Sequence, residues 1–310
     1  MKCLLCGSHN LIKIASIKLN DLKTLYVMAL GLDVNNEFCL DAEFIDLYKC
    51  NRCNLEFFNP TIVGGQILYE SLQRLPWYYV DSKIEYDIAT RFIDKNDNVL
   101  EIGCGSGNFF NNIECKKYLG LEFSEKAVEK AKLSGINVVK QDLNNFVCIN
   151  DESYDVVCFF QTLEHIDNPN LFIKDSLSVL RDGGYLIFSV PSNDGFLRFL
   201  KNNIFNLPPH HQTRWSDKTL NKLVDIFNLE LISINHERLS VEHFSLYIKS
   251  VAEAIFFKNN KYVDNSLLYK ILSILIRGLS ILFLPVIMLI KKINWNDING
   301  HTVTVVYKKI

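Results

Sequence analysis

Val99-Leu100-Glu101-Ile102-Gly103-Cys104-Gly105-Ser106-Gly107 is an apolar β-type run, an acid, and three glycines alternating with small residues. Backbone this bare turns tightly and lets a nucleotide-like ligand lie against its amides. The pattern differs from the dinucleotide fingerprint Gly-x-Gly-x-x-Gly, because its third glycine comes one residue sooner. Alone, the loop is either a ligand cradle or a structural turn.

Working outward, strand, turn and helix repeat from Asn98 onward. Strands are predicted at Val99–Ile102, Tyr118–Glu122, Asn137–Lys140, Val156–Phe160 and Gly184–Val190, with two more at Leu229–His236 and Thr302–Lys308. Helices are predicted at Glu125–Leu133, with Ser124 as its N-cap, and at Leu171–Leu180. The alternation gives an α/β fold, a doubly wound, Rossmann-like seven-stranded sheet.

Two acids strengthen the cradle reading. Glu122 ends the second strand nineteen residues after Gly103, placed to accept hydrogen bonds from two ribose hydroxyls. The alternative is a solvated acid at a helix N-terminus. Asp142 ends the third strand twenty residues later, where a carboxylate can take a hydrogen bond from an adenine amine. Polar groups on three successive strand ends fit the crevice rule for ligand sites in open α/β sheets.

Between Val99 and Ser192 the chain resembles the class I S-adenosylmethionine-dependent methyltransferases. The resemblance rests on Leu100–Gly107, on Gly120-Leu121-Glu122-Phe123-Ser124 and on Gln141-Asp142. It extends through Tyr154-Asp155-Val156-Val157-Cys158-Phe159-Phe160-Gln161-Thr162-Leu163-Glu164-His165 and Leu180–Pro191. It implies that Glu101, Gly103, Cys104, Gly105 and Gly107 face the amino-acid part of the cofactor. Glu122 and Phe123 would then meet the ribose, Asp142 and Leu143 the adenine, and Gln161 would lie near the sulfonium. Such chemistry is mainly alignment, and a base is needed only for a nucleophile that holds its proton tightly. His165 lies beside the implied site. His210 and His211 sit in Leu207-Pro208-Pro209-His210-His211-Gln212-Thr213-Arg214-Trp215-Ser216, expected to lie over the pocket. All three are candidate bases.

Nine cysteines include two Cys-x-x-Cys pairs, Cys3/Cys6 and Cys50/Cys53. Each puts two thiolates on one tight turn, and two turns supply four soft ligands for a closed, structural tetrahedral zinc. The 43 residues between Cys6 and Cys50 exceed the usual spacing, so strands must bring the turns together. A redox pair or four structural thiols are the alternatives. Cys39, Cys104, Cys115, Cys148 and Cys158 read as small core residues. Residues 1–62 are therefore expected to form a zinc-ribbon-like head, and 63–310 the methyltransferase domain. Tyr48–Pro60 is similar to the head of methyltransferases with a zinc-binding N-terminus, including sugar C-methyltransferases and relatives in surface-polysaccharide gene sets. Those enzymes carry His-Glu-His after the fifth strand. Here that region holds His210-His211, and Val241-Glu242-His243-Phe244-Ser245 comes one strand later. O-methylation is then at least as well supported as C-methylation.

Ile271–Ile290 is twenty residues with one charge, Arg277, and one proline, Pro285. Length allows a membrane span, but a single span would cut Thr302–Lys308 off from its sheet. Residues 247–295 read as a hydrophobic helical insertion packed on the domain, touching a membrane surface or pairing two subunits. Net charge is −2, which gives no argument for nucleic acid. Met1-Lys2-Cys3-Leu4-Leu5-Cys6 reaches cysteine and glycine too soon for a signal peptide's apolar core, so a cytoplasmic enzyme, peripheral at the membrane if the insertion docks there, is expected. The acceptor would be a small hydroxylated molecule, a sugar or glycan precursor. A phenol or quinone-type lipid, or a non-catalytic binding role, are the alternatives.

Overall fold

The computed structural model describes residues 1–38, 42–72, 83–240, 243–256, 262, 271, 274–276, 278–279 and 298–310. Cys39, the aromatic stretch 75–80 and most of the apolar run 271–290 lie outside them. Among the described residues, no helix is long and apolar enough to cross a membrane.

The chain runs β1 (Leu11–Lys18), α1 (Leu19–Leu30), β2 (Phe44–Cys50), β3 (Glu56–Asn59), α2 (Gln66–Leu72), α3 (Ile84–Ala89), β4 (Asn98–Ile102) and β5 (Lys117–Glu122). It continues through α4 (Glu125–Leu133), β6 (Val138–Lys140), α5 (Leu143–Ile149), β7 (Tyr154–Phe160), α6 (Pro169–Ser178) and β8 (Leu180–Pro191). The last elements are β9 (Thr213–Arg214), α7 (Asp217–Phe227), β10 (Leu229–Arg238), α8 (Phe244–Phe256) and β11 (Asn299–Lys309).

Seven strands form one sheet in the order β10-β11-β8-β7-β4-β5-β6, parallel except for β11. All seven strands expected there are present. The centre of the sheet is apolar on both faces, as burial between two helical layers requires. Val156 to Phe160 are all buried, and Phe159, Phe188 and Tyr307 stack across β7, β8 and β11 with ring centroids 4.9 and 5.9 Å apart. Ser124 caps α4 by accepting from Ala127 N, as its type and place imply.

One boundary moves. α6 ends at Ser178 and β8 begins at Leu180, four residues before the expected start. Leu180 pairs with Tyr154 ahead of a bulge, and Gly183 at φ +72° lets the strand resume at Tyr185. Cys148 is exposed and Cys115 only part-buried, against the expectation that both are core. Cys148 sits on the outer face of α5, whose buried positions are Leu143 and Phe146.

The N-terminal region forms a second, antiparallel sheet, β1-β2-β3-β9. Its fourth strand comes from the segment after β8. Gln212 reinforces the junction, accepting from Ile62 N at 3.0 Å and donating back to Ile62 O. Tyr26 Oη donates to the Ile204 and Leu207 carbonyls, and Asn170 Nδ2 to Leu5 O at 2.6 Å. Cys3, Leu5, Cys53 and Phe57 share one apolar cluster with Leu100, Phe159 and Phe188. Packing is thus continuous across residue 62.

Candidate active site and ligand clusters

The glycine loop leaves β4 at the carboxyl edge of the sheet. Gly103, Gly105 and Gly107 all take positive φ, at +71°, +56° and +78°. A Cβ on Gly103 would lie 2.7 Å from Thr162 Oγ1, so this turn and the one after β7 touch through bare backbone. Glu122 ties the loop to β5. Its Oε2 accepts from Gly105 N at 2.8 Å, and its Oε1 from Phe123 N and Ser124 N at 2.9 and 2.7 Å. A carboxylate offers about four lone-pair positions, so three backbone bonds fix the group without filling it. Next to it, the Phe123 ring is 65% exposed, bare apolar surface on a polar edge.

Asp142 caps α5, accepting from Asn145 N at 2.8 Å and Asn145 Nδ2 at 2.6 Å, and stays exposed; Leu143 behind it is buried. Gln161 follows β7 at φ +51°, a conformation that non-glycine residues seldom adopt and that clusters at functional sites. Its Nε2 donates to Ser189 Oγ at 3.3 Å and reaches Thr302 Oγ1 at 3.5 Å.

Two of the expected cofactor residues sit behind this surface. Glu101 is 2% exposed and accepts from Tyr118 Oη. Burial pushes its carboxyl up to about 8, which leaves it protonated at neutral pH. Cys104 is buried against Gly120, where a Cβ would meet its Sγ at 2.5 Å. Both shape the loop from beneath.

The three candidate bases converge. His165 ends the turn after β7, and His210 and His211 precede β9; ring centroids lie 4.5–4.9 Å apart. His210 and His211 are buried rather than lying over the pocket, and only His165 keeps partial exposure. His165 Nδ1 is 2.6 Å from His210 O and His210 Nδ1 3.2 Å from Phe205 O. A carbonyl can only accept, so each Nδ1 carries the proton. Burial lowers His165 to about 4 and holds His210 and His211 well below the usual histidine range, so all three are neutral. Glu164 lies against them, 1% exposed and raised to about 8 by burial.

A second cluster escaped the sequence reading. His301 Nδ1 lies 2.9 Å from Glu237 Oε2, and His243 Nδ1 lies 3.8 Å from Glu237 Oε1. Glu237 Oε2 also accepts from His301 N and Thr302 N at 3.2 Å. Burial raises Glu237, but the two imidazoles outweigh it and hold the carboxylate below its usual range. Glu237 and His301 are 64 residues apart and meet because β10 pairs antiparallel with β11. No local motif announces that; only His243 belonged to a segment already noted.

The four paired cysteines also meet. Cys3 and Cys53 Sγ are 3.5 Å apart, as are Cys6 and Cys50, and all four lie within 4.8 Å of one another. Zinc–sulfur bonds of about 2.3 Å make a tetrahedral edge of about 3.8 Å, so the thiols span the right volume. Each pair sits on a turn closed by a left-handed residue, Gly7 donating to Cys3 O and Asn54 to Cys50 O. The Cys3–Cys53 hydrogen bond lowers the Cys3 thiol and raises that of Cys53, one proton shared between two sulfurs, while burial raises Cys6 to about 11.

A family profile described as "Methyltransferase domain" matches residues 77–234, just over half of the chain. The chain belongs to the methyltransferase-domain family. This methyltransferase is 26% identical over 164 residues to "Ubiquinone biosynthesis O-methyltransferase, mitochondrial" of Dictyostelium discoideum, covering 44% of the chain and 51% of that protein. It is 28% identical over 173 residues to the protein of the same name in Candida albicans, covering 48% and 53%. The chain thus spans about half the length of these curated relatives. A crystal structure titled as a SAM dependent methyltransferase from Archaeoglobus fulgidus superposes with a TM-score of 0.51 at 18% identity. It covers 78% of this chain and all of that one, a likeness of fold.

Proposed function

We propose that this methyltransferase moves the methyl group of S-adenosylmethionine onto a hydroxyl of a small acceptor, a sugar or glycan precursor. The observation that carries the reading is the glycine loop latched by Glu122 beside the left-handed Gln161. Loop amides and carboxylate suit a charged amino acid and a ribose, and Phe123 and Leu143 suit an adenine face.

The sulfonium methyl is already electrophilic, so catalysis needs alignment and removal of one proton. Glu237 and His301 provide a carboxylate-oriented imidazole beside Thr302, which contacts Gln161. His301 takes the acceptor's O–H proton while the oxygen attacks the methyl carbon. S-adenosylmethionine, held by the glycine loop, Glu122, Phe123 and Leu143, would supply a methyl group on a sulfonium that leaves with the C–S electron pair. Cys3, Cys6, Cys50 and Cys53 hold a structural zinc that fixes the head against the catalytic domain.

The relatives' names favour a second reading, O-methylation of a lipid-borne phenol, for which membrane contact through residues 247–295 would serve. Cofactor consumption against nucleotide sugars, free glycans and isoprenoid phenols separates the two. Turnover of a nucleotide sugar or glycan supports the first reading, and turnover of phenols alone moves the acceptor to the second. Folded protein that binds no S-adenosylmethionine in calorimetry overturns both.

A further inference from the structure

We propose that Glu164, His165, His210 and His211 form a second metal centre, for a divalent transition ion, between the turn after β7 and the segment before β9. One ring nitrogen from each of the three histidines lies within 4.8 Å of the other two, so a circle of at most about 2.8 Å radius encloses all three. Metal–imidazole bonds are about 2.0–2.1 Å, so each ligand closes in by less than about 1 Å. Glu164 Oε1 lies 3.8 Å from His165 Nε2 and 3.9 Å from His211 Nε2, a carboxylate beside two of the three rings.

Three further observations favour a cation here. Both Glu164 oxygens are buried without a hydrogen-bond partner, and so is His211 Nδ1. Buried polar atoms left without a partner are destabilising, and a bound cation would give each of these one. The Nδ1–H groups of His165 and His210 donate to backbone carbonyls, which puts the lone pairs on Nε2; metal-bound histidines are fixed in this way. Arg214, a base near His211, directs its Nη1 and Nη2 to Tyr262 Oη and Asn206 O rather than to Glu164.

A set of imidazoles plus carboxylate suits Zn2+ and other borderline ions rather than Mg2+ or Ca2+. With Glu164, His210 and His211 buried, the site is closed. Its effect is to clamp His165 and the turn that touches Gly103. Occupancy does not depend on which acceptor is methylated.

Cobalt loading of the full chain tests this, read by metal stoichiometry and absorption. Two equivalents are expected. One carries thiolate-to-cobalt charge transfer and is lost in Cys53→Ser. The other shows only weak visible bands and is lost in His211→Ala. Glu164→Gln, nearly isosteric, is expected to weaken the second site at least tenfold while circular dichroism and S-adenosylmethionine binding stay at wild-type level. It decides the matter if His211→Ala does not fold. Wild-type protein that takes cobalt with a thiolate signature only, or keeps the second equivalent in Glu164→Gln at unchanged affinity, overturns the proposal. Unchanged cofactor binding in that protein would leave the methyltransferase reading intact.

Discussion

At the carboxyl edge of the large sheet, β4, β5 and β6 end in Gly103–Gly107, Glu122 and Asp142. On the other half of the same edge, β7 ends beside Glu164-His165, β10 closes on Glu237-Arg238, and β11 opens on Asn299-Gly300-His301. The first half is made of backbone amides and of acids held by the amides next to them. The second is made of side chains brought together from 45 to 64 positions apart, neutralised or ionised by burial and by one another. A cofactor shared by a family can be met by backbone that any sequence of the right shape supplies. An acceptor particular to one protein needs side chains, which long-range folding brings together.

The largest expected effect breaks the second half alone. His301→Ala should lower turnover about 10²–10⁴-fold, the range for losing a general base. S-adenosylmethionine affinity, read by calorimetry, should stay within about twofold of wild type. A parallel loss of affinity would mean the two halves are one site. Glu122→Ala does the converse. It removes a charged acceptor and releases three amides, and charge-assisted bonds contribute about 1.5–3 kcal/mol, so affinity should fall roughly 10–100-fold. Glu122→Gln, which keeps an acceptor oxygen, should lose less.

The same division decides what could be read in the sequence. The seven strands, Ser124 as a cap and the placement of Gly103, Glu122, Asp142 and Gln161 at one edge follow from short-range pattern. So does the meeting of Cys3 and Cys6, though their meeting with Cys50 and Cys53 needed β1 to pair with β2. Glu101 looks like part of the ligand surface in sequence, because an acid next to glycines is polar. Alternation along β4 instead turns it inward to Tyr118. Glu237 with His301 carries no sequence signal, since a one-residue change of register in the β10–β11 pair would separate them. His210 and His211 follow prolines and read as surface loop, yet β9 joins the head sheet and draws them inside.

Glu101 also gives the molecule a pH dependence of known sign. The folded carboxyl titrates near 8 and the unfolded one near the ordinary value of 4.5. The folded state therefore holds a proton that the unfolded state releases. This contribution is fully present below about pH 4.5 and is lost as pH rises through 8. The slope is on the order of 1 kcal/mol per pH unit within that window. His236, raised by the hydrogen bond it donates to Asp217, adds the same sign at higher pH. Below about pH 6.5 the three histidines buried as neutral groups oppose this trend, so the test lies above it: urea midpoints measured from pH 7 to 8.5 should fall, with Glu164 adding the same sign, and Glu101→Gln should flatten the decline. A midpoint that rises over this range would place Glu101 ionised, on the ligand surface after all.

Ser124 offers the finest test of the division. Its Oγ accepts from Ala127 N at 3.4 Å to cap α4, while its own backbone N–H donates to Glu122 Oε1 at 2.7 Å. Ser124→Ala removes the first bond and keeps the second. Loss of an N-cap costs typically about 1 kcal/mol, and the long Oγ contact puts this one near 0.5 kcal/mol. Denaturation should show that small loss with S-adenosylmethionine affinity unchanged. If affinity falls tenfold instead, the cofactor half depends on side-chain scaffolding as the acceptor half does, and its legibility owes less to backbone than the amides around Glu122 imply.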